Sequence, residues 1–407
     1  MKAIEQKFAR LATDHAPGQE NRRSDGGVGA ALRGEVLTGR PVDFSHGDVN
    51  TDAFEPTPGS LEAFIEGVEL GGEQAYTEYR GAASLRDLLA SRLSDFTGVG
   101  VSGAEQLIVT PGTQCALFLA LSATVVAGDK VAIVQPDYFA NRKIVEFLEA
   151  EIVPVQMDYL TAEGRAGLKL DELEDAFKAG ARTFLFSNPN NPSGVIYSAT
   201  EISAIAELAG RYGATVIVDQ LYSRLLYTAS AYTHLSAVMQ GNVVTIMGPS
   251  KTESLSGYRL GVAWGPAAII ERMERLQAIV SLRAPGYCQA VLKTWFNEPA
   301  GWMRRRIAGH EAIRDDLLKL FRAIPGLRVR TPEAGSYLFP RLPSLDISHL
   351  DFVRALRQQA AVTVTPGTEF SPHAADSIRL NFSQNHEAAV AAVRRIAAMV
   401  ERYRAKN

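Results

Sequence analysis

Six local constellations in this 407-residue chain combine residue types that could do chemistry. The densest is Asn188-Pro189-Asn190-Asn191-Pro192-Ser193-Gly194, directly after an apolar run that reads as a strand. Its prolines, glycine and asparagines specify a fixed loop at the carboxyl end of that strand, where α/β enzymes place ligands. In Val216-Ile217-Val218-Asp219-Gln220-Leu221-Tyr222 an aspartate ends a buried strand. Such a charge is costly unless it is paired, whether by a metal, a sugar hydroxyl, a protonated ring nitrogen, a helix N-terminus or an ordinary ion pair. Lys251, in Met247-Gly248-Pro249-Ser250-Lys251-Thr252, leaves another strand among small residues. There its amine is either a reachable Schiff-base nucleophile or a solvated surface charge.

Arg259 extends the third constellation, and the three that remain add an anion site, an aromatic ring and a buried cation. Arg259, eight residues after Lys251, offers a planar donor fork suited to phosphate or carboxylate. Pro111-Gly112-Thr113-Gln114 stands at a strand-to-helix junction, where free backbone N–H groups either hold an anion or are capped in the ordinary way. Pro136-Asp137-Tyr138 puts an aromatic ring at a strand end. Arg379 lies inside the apolar run Ser377-Ile378-Arg379-Leu380-Asn381-Phe382 and needs a compensating anion, from a structural partner or from a substrate.

The elements that position these residues follow from pattern. Short apolar, β-rich runs at 107–110, 131–135, 152–155, 183–187, 215–219, 243–247 and 259–264 alternate with helix-like stretches at 85–96, 113–124, 142–150, 171–178 and 200–212. This is the signature of a largely parallel sheet covered on both faces. Residues 267–324 read as long charged helices with breaks near Pro285 and Pro299. The remainder mixes short strands at 327–330, 337–340, 362–364 and 378–382 with two helices. In the last of these, Ala389, Val393, Ile396, Val400 and Tyr403 form one apolar face. The expected division is an N-terminal arm that also contributes to the small domain over 1–60, a large domain over 61–295 and a small α+β domain over 296–407. The arm itself reads as irregular after a short helix at about 4–12.

Taken together and in order, these segments resemble the class I/II aminotransferase family, the fold-type I pyridoxal-phosphate enzymes. The resemblance spans roughly residues 35–403, and the 188–194 loop resembles the family's Asn-Pro-x-x-Pro-[Thr/Ser]-Gly signature. It implies a large domain with a mostly parallel seven-stranded sheet, a small α+β domain, and pyridoxal 5'-phosphate as cofactor. The implied reaction moves the amino group of an L-amino acid to a 2-oxo acid, by way of a Lys251 aldimine and a pyridoxamine phosphate. Family members that act as lyases, decarboxylases, cyclases or oxidases keep much of the same site, so the fold alone leaves these open. By resemblance, Lys251 is the catalytic amine, Asp219 pairs with the ring nitrogen, and Asn191 and Tyr222 bond the ring's 3' oxygen. Tyr138 stacks on the ring. Gly112, Thr113, Gln114, Ser250 and Arg259 hold the phosphate, with Tyr76 reaching it from a second subunit. Arg379 takes the substrate α-carboxylate, and Gly47 marks a small-residue turn beside the substrate. His46 and Arg283 are candidates for the substrate side chain, Arg283 across a homodimer.

Composition excludes several other classes. With Lys and Arg totalling 42 against 45 Asp and Glu, the formal charge is -3, which leaves no basic excess for nucleic acid or an anionic membrane surface. There is no Gly-x-Gly-x-x-Gly turn after the strand at 107–110, no phosphate-binding Gly-x-x-x-x-Gly-Lys-[Ser/Thr] and no His-Glu-x-x-His, so no metal is expected. The two cysteines, Cys115 and Cys288, read as packing residues in a reducing compartment. With no apolar signal core at the N-terminus, the expectation is a cytoplasmic protein.

Overall fold

The computed structural model describes residues 3–9, 32–45, 47, 49–162 and 164–405. His46 lies outside the described residues, as does the end of the arm's expected helix beyond Ala9. Strand β1 (Val42–Asp43) precedes the central sheet, which contains β2 (Leu107–Thr110), β3 (Lys130–Gln135), β4 (Glu151–Gln156), β5 (Thr183–Ser187), β6 (Thr215–Asp219), β7 (Val243–Met247) and β8 (Gly261–Trp264). The spatial order of these seven strands is β2-β8-β7-β6-β5-β3-β4. All neighbours are parallel except β8, which runs against both β2 and β7. The strands in the middle of the sheet, such as β5 and β7, are buried at every position, and that is why they read as unbroken apolar runs.

Two hydrophobic clusters cover the faces of the sheet. One gathers Phe177, Phe184, Phe186 and Ile205 beneath the helices Leu170–Lys178 and Ala199–Tyr212. The other joins the helices Thr113–Thr124 and Ala267–Val280 through Leu117, Leu121, Ile270 and Met273. Helix Ala199–Tyr212 starts at a complete capping box, in which the Ser198 and Glu201 side chains each satisfy the other's backbone N–H. Among the described residues, no helix is long and apolar enough to cross a membrane.

A separate cluster carries the C-terminal elements. Here β9 (Tyr337–Leu338), β10 (Val362–Thr363), β11 (Thr365–Pro366) and β12 (Ile378–Asn381) pack with the helices Trp302–Arg322, His349–Ala360 and His386–Tyr403. Strand β1 pairs in parallel with β10, and Val42, Phe44, Val49 and Phe54 enter the same core. Two expectations for this region need correction. Residues 327–330 form only an isolated bridge, Arg328 to Arg341, because alternating arginines leave no continuous apolar run to bury. The strand expected over 362–364 is shorter, β10 at Val362–Thr363, and after a break at Val364 a second strand, β11, begins at Thr365.

His310 shows how tightly this core holds polar groups. Its Nδ1 lies 2.9 Å from the Arg306 carbonyl, which can only accept, so Nδ1 carries the proton and Nε2 accepts from the Ser383 hydroxyl at 2.7 Å. The Phe54 ring stacks on the imidazole at 3.8 Å, and burial pushes the histidine pKa down to about 3. A pKa lower in the folded than in the unfolded chain means stability is present above about 6.5 and is lost as pH falls. Between pH 7 and pH 5 the expected loss from this residue is about 2 kcal/mol. Denaturant melts at the two pH values, compared with His310→Gln, measure it; equal losses in both proteins would show that His310 contributes none of it.

Candidate active site

The loops that follow the carboxyl ends of the parallel strands converge with β9, β11 and β12 on one cavity of about 270 Å³. Its walls bring together most of the residues selected from sequence. Thr113 and Gln114 open the helix after β2, Tyr138 comes from the loop after β3 and Asn191 from that after β5. Asp219 ends β6 and Tyr222 follows it, Ser250 and Lys251 follow β7, Arg259 precedes β8, and Arg379 rises from β12. Gly47 also lines the cavity, and a Cβ added to it would lie 3.4 Å from the Tyr337 hydroxyl and 3.9 Å from Lys251 Nζ.

One end of the cavity is built for an anion. Gly112 takes φ +85°, and a Cβ there would sit 2.6 Å from Arg259 Nη2, so the guanidinium lies directly against the backbone that starts the 113–124 helix. The first N–H groups of that helix, the Thr113 and Ser250 hydroxyls and the Arg259 fork form a set of donors around one small volume. Gly261 allows this convergence: a Cβ on it would meet the Gly112 carbonyl carbon and Thr113 N at 2.4 Å each. Arg259 itself, expected to begin a strand, instead takes a left-handed backbone (φ 55°) after the short turn Ser256–Tyr258, and β8 begins at Gly261. This bend turns the side chain back over the loop instead of into the ladder.

The opposite wall is acidic. Asp219 Oδ1 accepts from the Leu221 N–H at 3.0 Å, and no described protein group donates to its second oxygen. Burial lifts its pKa to about 6. A buried carboxylate with a spare acceptor suits a cationic N–H, which would hold the carboxyl ionised. Between the two ends, Tyr222 donates to the Tyr337 hydroxyl at 2.6 Å, and burial pushes the Tyr222 phenol well above its ordinary range. Tyr138 donates to Gln114 Oε1 at 2.8 Å, which ties the ring to the anion end.

Arg379 forms the third wall. Its Nη1 donates to Asn191 Oδ1 at 3.0 Å and its Nη2 to the Ser45 carbonyl at 3.1 Å, while Nε is buried without a partner among the described residues. The guanidinium lies 4.3 Å from the Tyr337 ring centroid and 4.6 Å from that of Phe370. None of these partners is an anion, so a charge of opposite sign remains to be supplied from the cavity.

Residues 40–396 match the family described as aminotransferase class I and II. The chain belongs to that family. This aminotransferase is 65% identical to an aspartate aminotransferase from Rhodobacter sphaeroides 2.4.1 whose crystal structure superposes with a TM-score of 0.94, over 99% of this chain and 100% of that one. It is also 28% identical over 355 residues to the arginine–pyruvate transaminase AruH of Pseudomonas aeruginosa, covering 87% of this chain and 88% of the relative. An aspartate aminotransferase of Rhizobium meliloti is 26% identical over 394 residues, covering 92% and 93%.

Two candidates stay outside the aminotransferase's own cavity. Tyr76 is 73% exposed on a loop, and the Arg283 guanidinium lies 3.9 Å over its ring and donates to the Thr77 carbonyl. Sequence reading missed other members of the site. Asp137 is buried beneath the 188–194 loop and accepts five hydrogen bonds, from the Ser187 N–H and hydroxyl, the Tyr138 N–H, and the Asn141 and Asn190 amides. Burial nevertheless pushes its pKa up to about 8. Its position beside Tyr138 after a strand was the available signal. Tyr337 and the Ser45 carbonyl had none, because a tyrosine in a short apolar strand reads as core.

Proposed function

We propose that this aminotransferase depends on pyridoxal 5'-phosphate, takes the amino group of L-aspartate and passes it to a 2-oxo acid, and works as a cytoplasmic homodimer. The observation that carries the reading is one cavity holding an anion cup, an unshared buried carboxylate, a lysine and an arginine without a counter-ion. These are the groups a phosphorylated pyridine aldehyde and an α-amino acid require. Aspartate as donor is supported by the 65% identity to the Rhodobacter aspartate aminotransferase. When bound, the cofactor supplies an electron sink for the pair released from the substrate Cα–H bond.

The chain's own residues do the rest. Gly112, Thr113, Gln114, Ser250 and Arg259 grip the phosphate. Asp219 accepts the ring N–H and keeps that nitrogen protonated, while Asn191 and Tyr222 donate to the ring oxygen and Tyr138 covers the ring face. The Lys251 amine takes the proton from Cα and returns it on the far side of the exchange. Arg379 turns two donors to the α-carboxylate and thereby fixes which Cα bond faces Lys251. The phosphate cup is completed by Tyr76 of the partner subunit, and Arg283 of the partner subunit is the cation we assign to aspartate's second carboxylate. Their stacking, between the segment after Ala75 and the one after Val280, supports treating them together. The pocket then lies between a large domain over 61–295 and a small domain built from 296–407 and part of 1–60.

Single amino acids offered to the holoprotein without a 2-oxo acid test the reading. Aspartate should convert the cofactor's visible absorption stoichiometrically to that of its amine form, and 2-oxoglutarate should reverse the change. Continuous release of ammonia or carbon dioxide, with the original spectrum restored, would overturn it. Conversion by alanine but not by aspartate would remove aspartate as the donor.

A further inference from the structure

Tyr337 is a polar group of the cavity that the proposed chemistry leaves without a task. Its hydroxyl accepts from the Tyr222 hydroxyl at 2.6 Å, both side chains are buried, and the rings meet edge-on at 5.4 Å and 76°. Arg379 covers its ring, and the hydroxyl shares a wall with Gly47 and the end of Lys251. A phenylalanine would fill the same space and keep both ring contacts, so packing does not account for the oxygen.

We propose that Tyr337 is a positioning residue that controls how strongly Tyr222 donates to the bound cofactor. This rests on the reading above, in which Tyr222 faces the cofactor's ring oxygen. A phenol has one proton. With an anionic oxygen in front of it, Tyr222 must turn that proton toward the anion, and the bond to Tyr337 survives only if Tyr337 becomes the donor. Tyr337 O–H to Tyr222 O–H to ring oxygen is then a chain of two donors, each polarising the next. Loss of the outer donor weakens the inner one and leaves the ring oxygen more basic. The proton it shares with the Lys251 nitrogen is then held more tightly. The other charged and titratable groups facing this pair are Asp219, Arg379, Arg259, Tyr138 and Lys251 itself, and all are retained when only the Tyr337 hydroxyl is removed.

The test is the pH midpoint of the visible absorption of the holoprotein, read for wild type, Tyr337→Phe, Tyr222→Phe and the double variant. Tyr222→Phe should raise the midpoint by roughly 1–2 pH units, the value of a hydrogen bond to a charged group. Tyr337→Phe should raise it by about 0.2–0.6 pH unit, the polarising share of that bond. In the double variant the second change should add nothing, since the route through Tyr222 is gone. Cofactor affinity, read by fluorescence of the apoprotein on adding pyridoxal 5'-phosphate, should change by less than about threefold in Tyr337→Phe. A midpoint unmoved by Tyr337→Phe while Tyr222→Phe moves it overturns this inference alone, as does a shift that persists in the double variant. A midpoint unmoved by Tyr222→Phe overturns the placement of Tyr222 at the ring oxygen, and this inference with it.

Discussion

Lys251→Ala should lower the rate of amino-group transfer from aspartate by ~10⁴-fold or more while leaving the fold and the cavity in place. The lysine lies on the cavity wall after β7, reached past Gly47, while Ser250 beside it belongs to the anion cup. In the proposed function, phosphate grip and Cα chemistry are therefore assigned to different side chains. The cup and Asp219 survive the change, so the variant should still take up the cofactor, held without a covalent bond. Lys251→Arg is the sharper comparison. It keeps a positive charge at the position, but a guanidinium does not give up its proton near neutrality and cannot serve as a base. Both variants should fail equally in a single-turnover absorbance assay with aspartate. Activity in the arginine variant near that of wild type would mean that Lys251 contributes charge only, and the base would have to be sought elsewhere in the cavity.

The second large effect concerns stability. Arg224, two residues after Tyr222, forms a fork to Glu298 at 2.8 and 2.9 Å and also pairs with Glu253, two residues after Lys251. The Phe296 ring lies 4.0 Å from the guanidinium. Burial pushes Glu253 up to about 7 in spite of Arg224, whereas Glu298, though also raised by burial, is held below its ordinary value by the Arg224 hydrogen bonds. The arginine thus ties together the loops that carry Tyr222 and Lys251. Arg224→Met keeps the length and apolar stem but strands two buried carboxyls, and should cost about 3–5 kcal/mol in denaturant unfolding. The sign of its pH dependence follows. Without the arginine both carboxyls bind protons more tightly in the folded than in the unfolded chain, so the variant's deficit should be smallest near pH 5 and grow toward pH 8. A deficit independent of pH would assign the loss to packing on Phe296 instead of to charge.

Much of this architecture is legible in the sequence because the central strands are buried on both faces and so appear as short apolar runs with sharp ends. Strands β2, β5, β6 and β7 occupy the residues that the pattern predicts, and the chemistry-bearing segments follow directly after them. The failures share a physical cause. Strand β1 is two residues long and exists only because β10 offers a parallel edge, a partner more than 300 positions away. Arg259 leaves the strand pattern because its left-handed turn serves the anion cup, a demand that no local periodicity records. Tyr337 owes its importance to what tertiary packing sets against it, of which an isolated sequence carries no mark, and Asp137 shows only its place beside Tyr138 after a strand. Tyr76 and Arg283 meet each other outside the cavity, ring against guanidinium, and that contact between positions 207 apart is likewise unmarked by any motif.

The antiparallel strand β8 has a consequence for how the protein is made. Within the sheet β2 has one neighbour, β8, and 151 positions separate Thr110 from its partner Gly261. At a synthesis rate of about 5–20 residues per second, the buried run Leu107–Thr110 waits roughly 8–30 s for its mate to leave the ribosome. During that interval the nascent chain carries an unpaired strand edge of three apolar residues and a threonine, the kind of surface that chaperones recognise and aggregates recruit. The anion cup cannot form in that interval either, since it needs Arg259 lying against Gly112. Supplying more cofactor should therefore rescue the yield of completed chains and do nothing for chains that stall before β8 emerges.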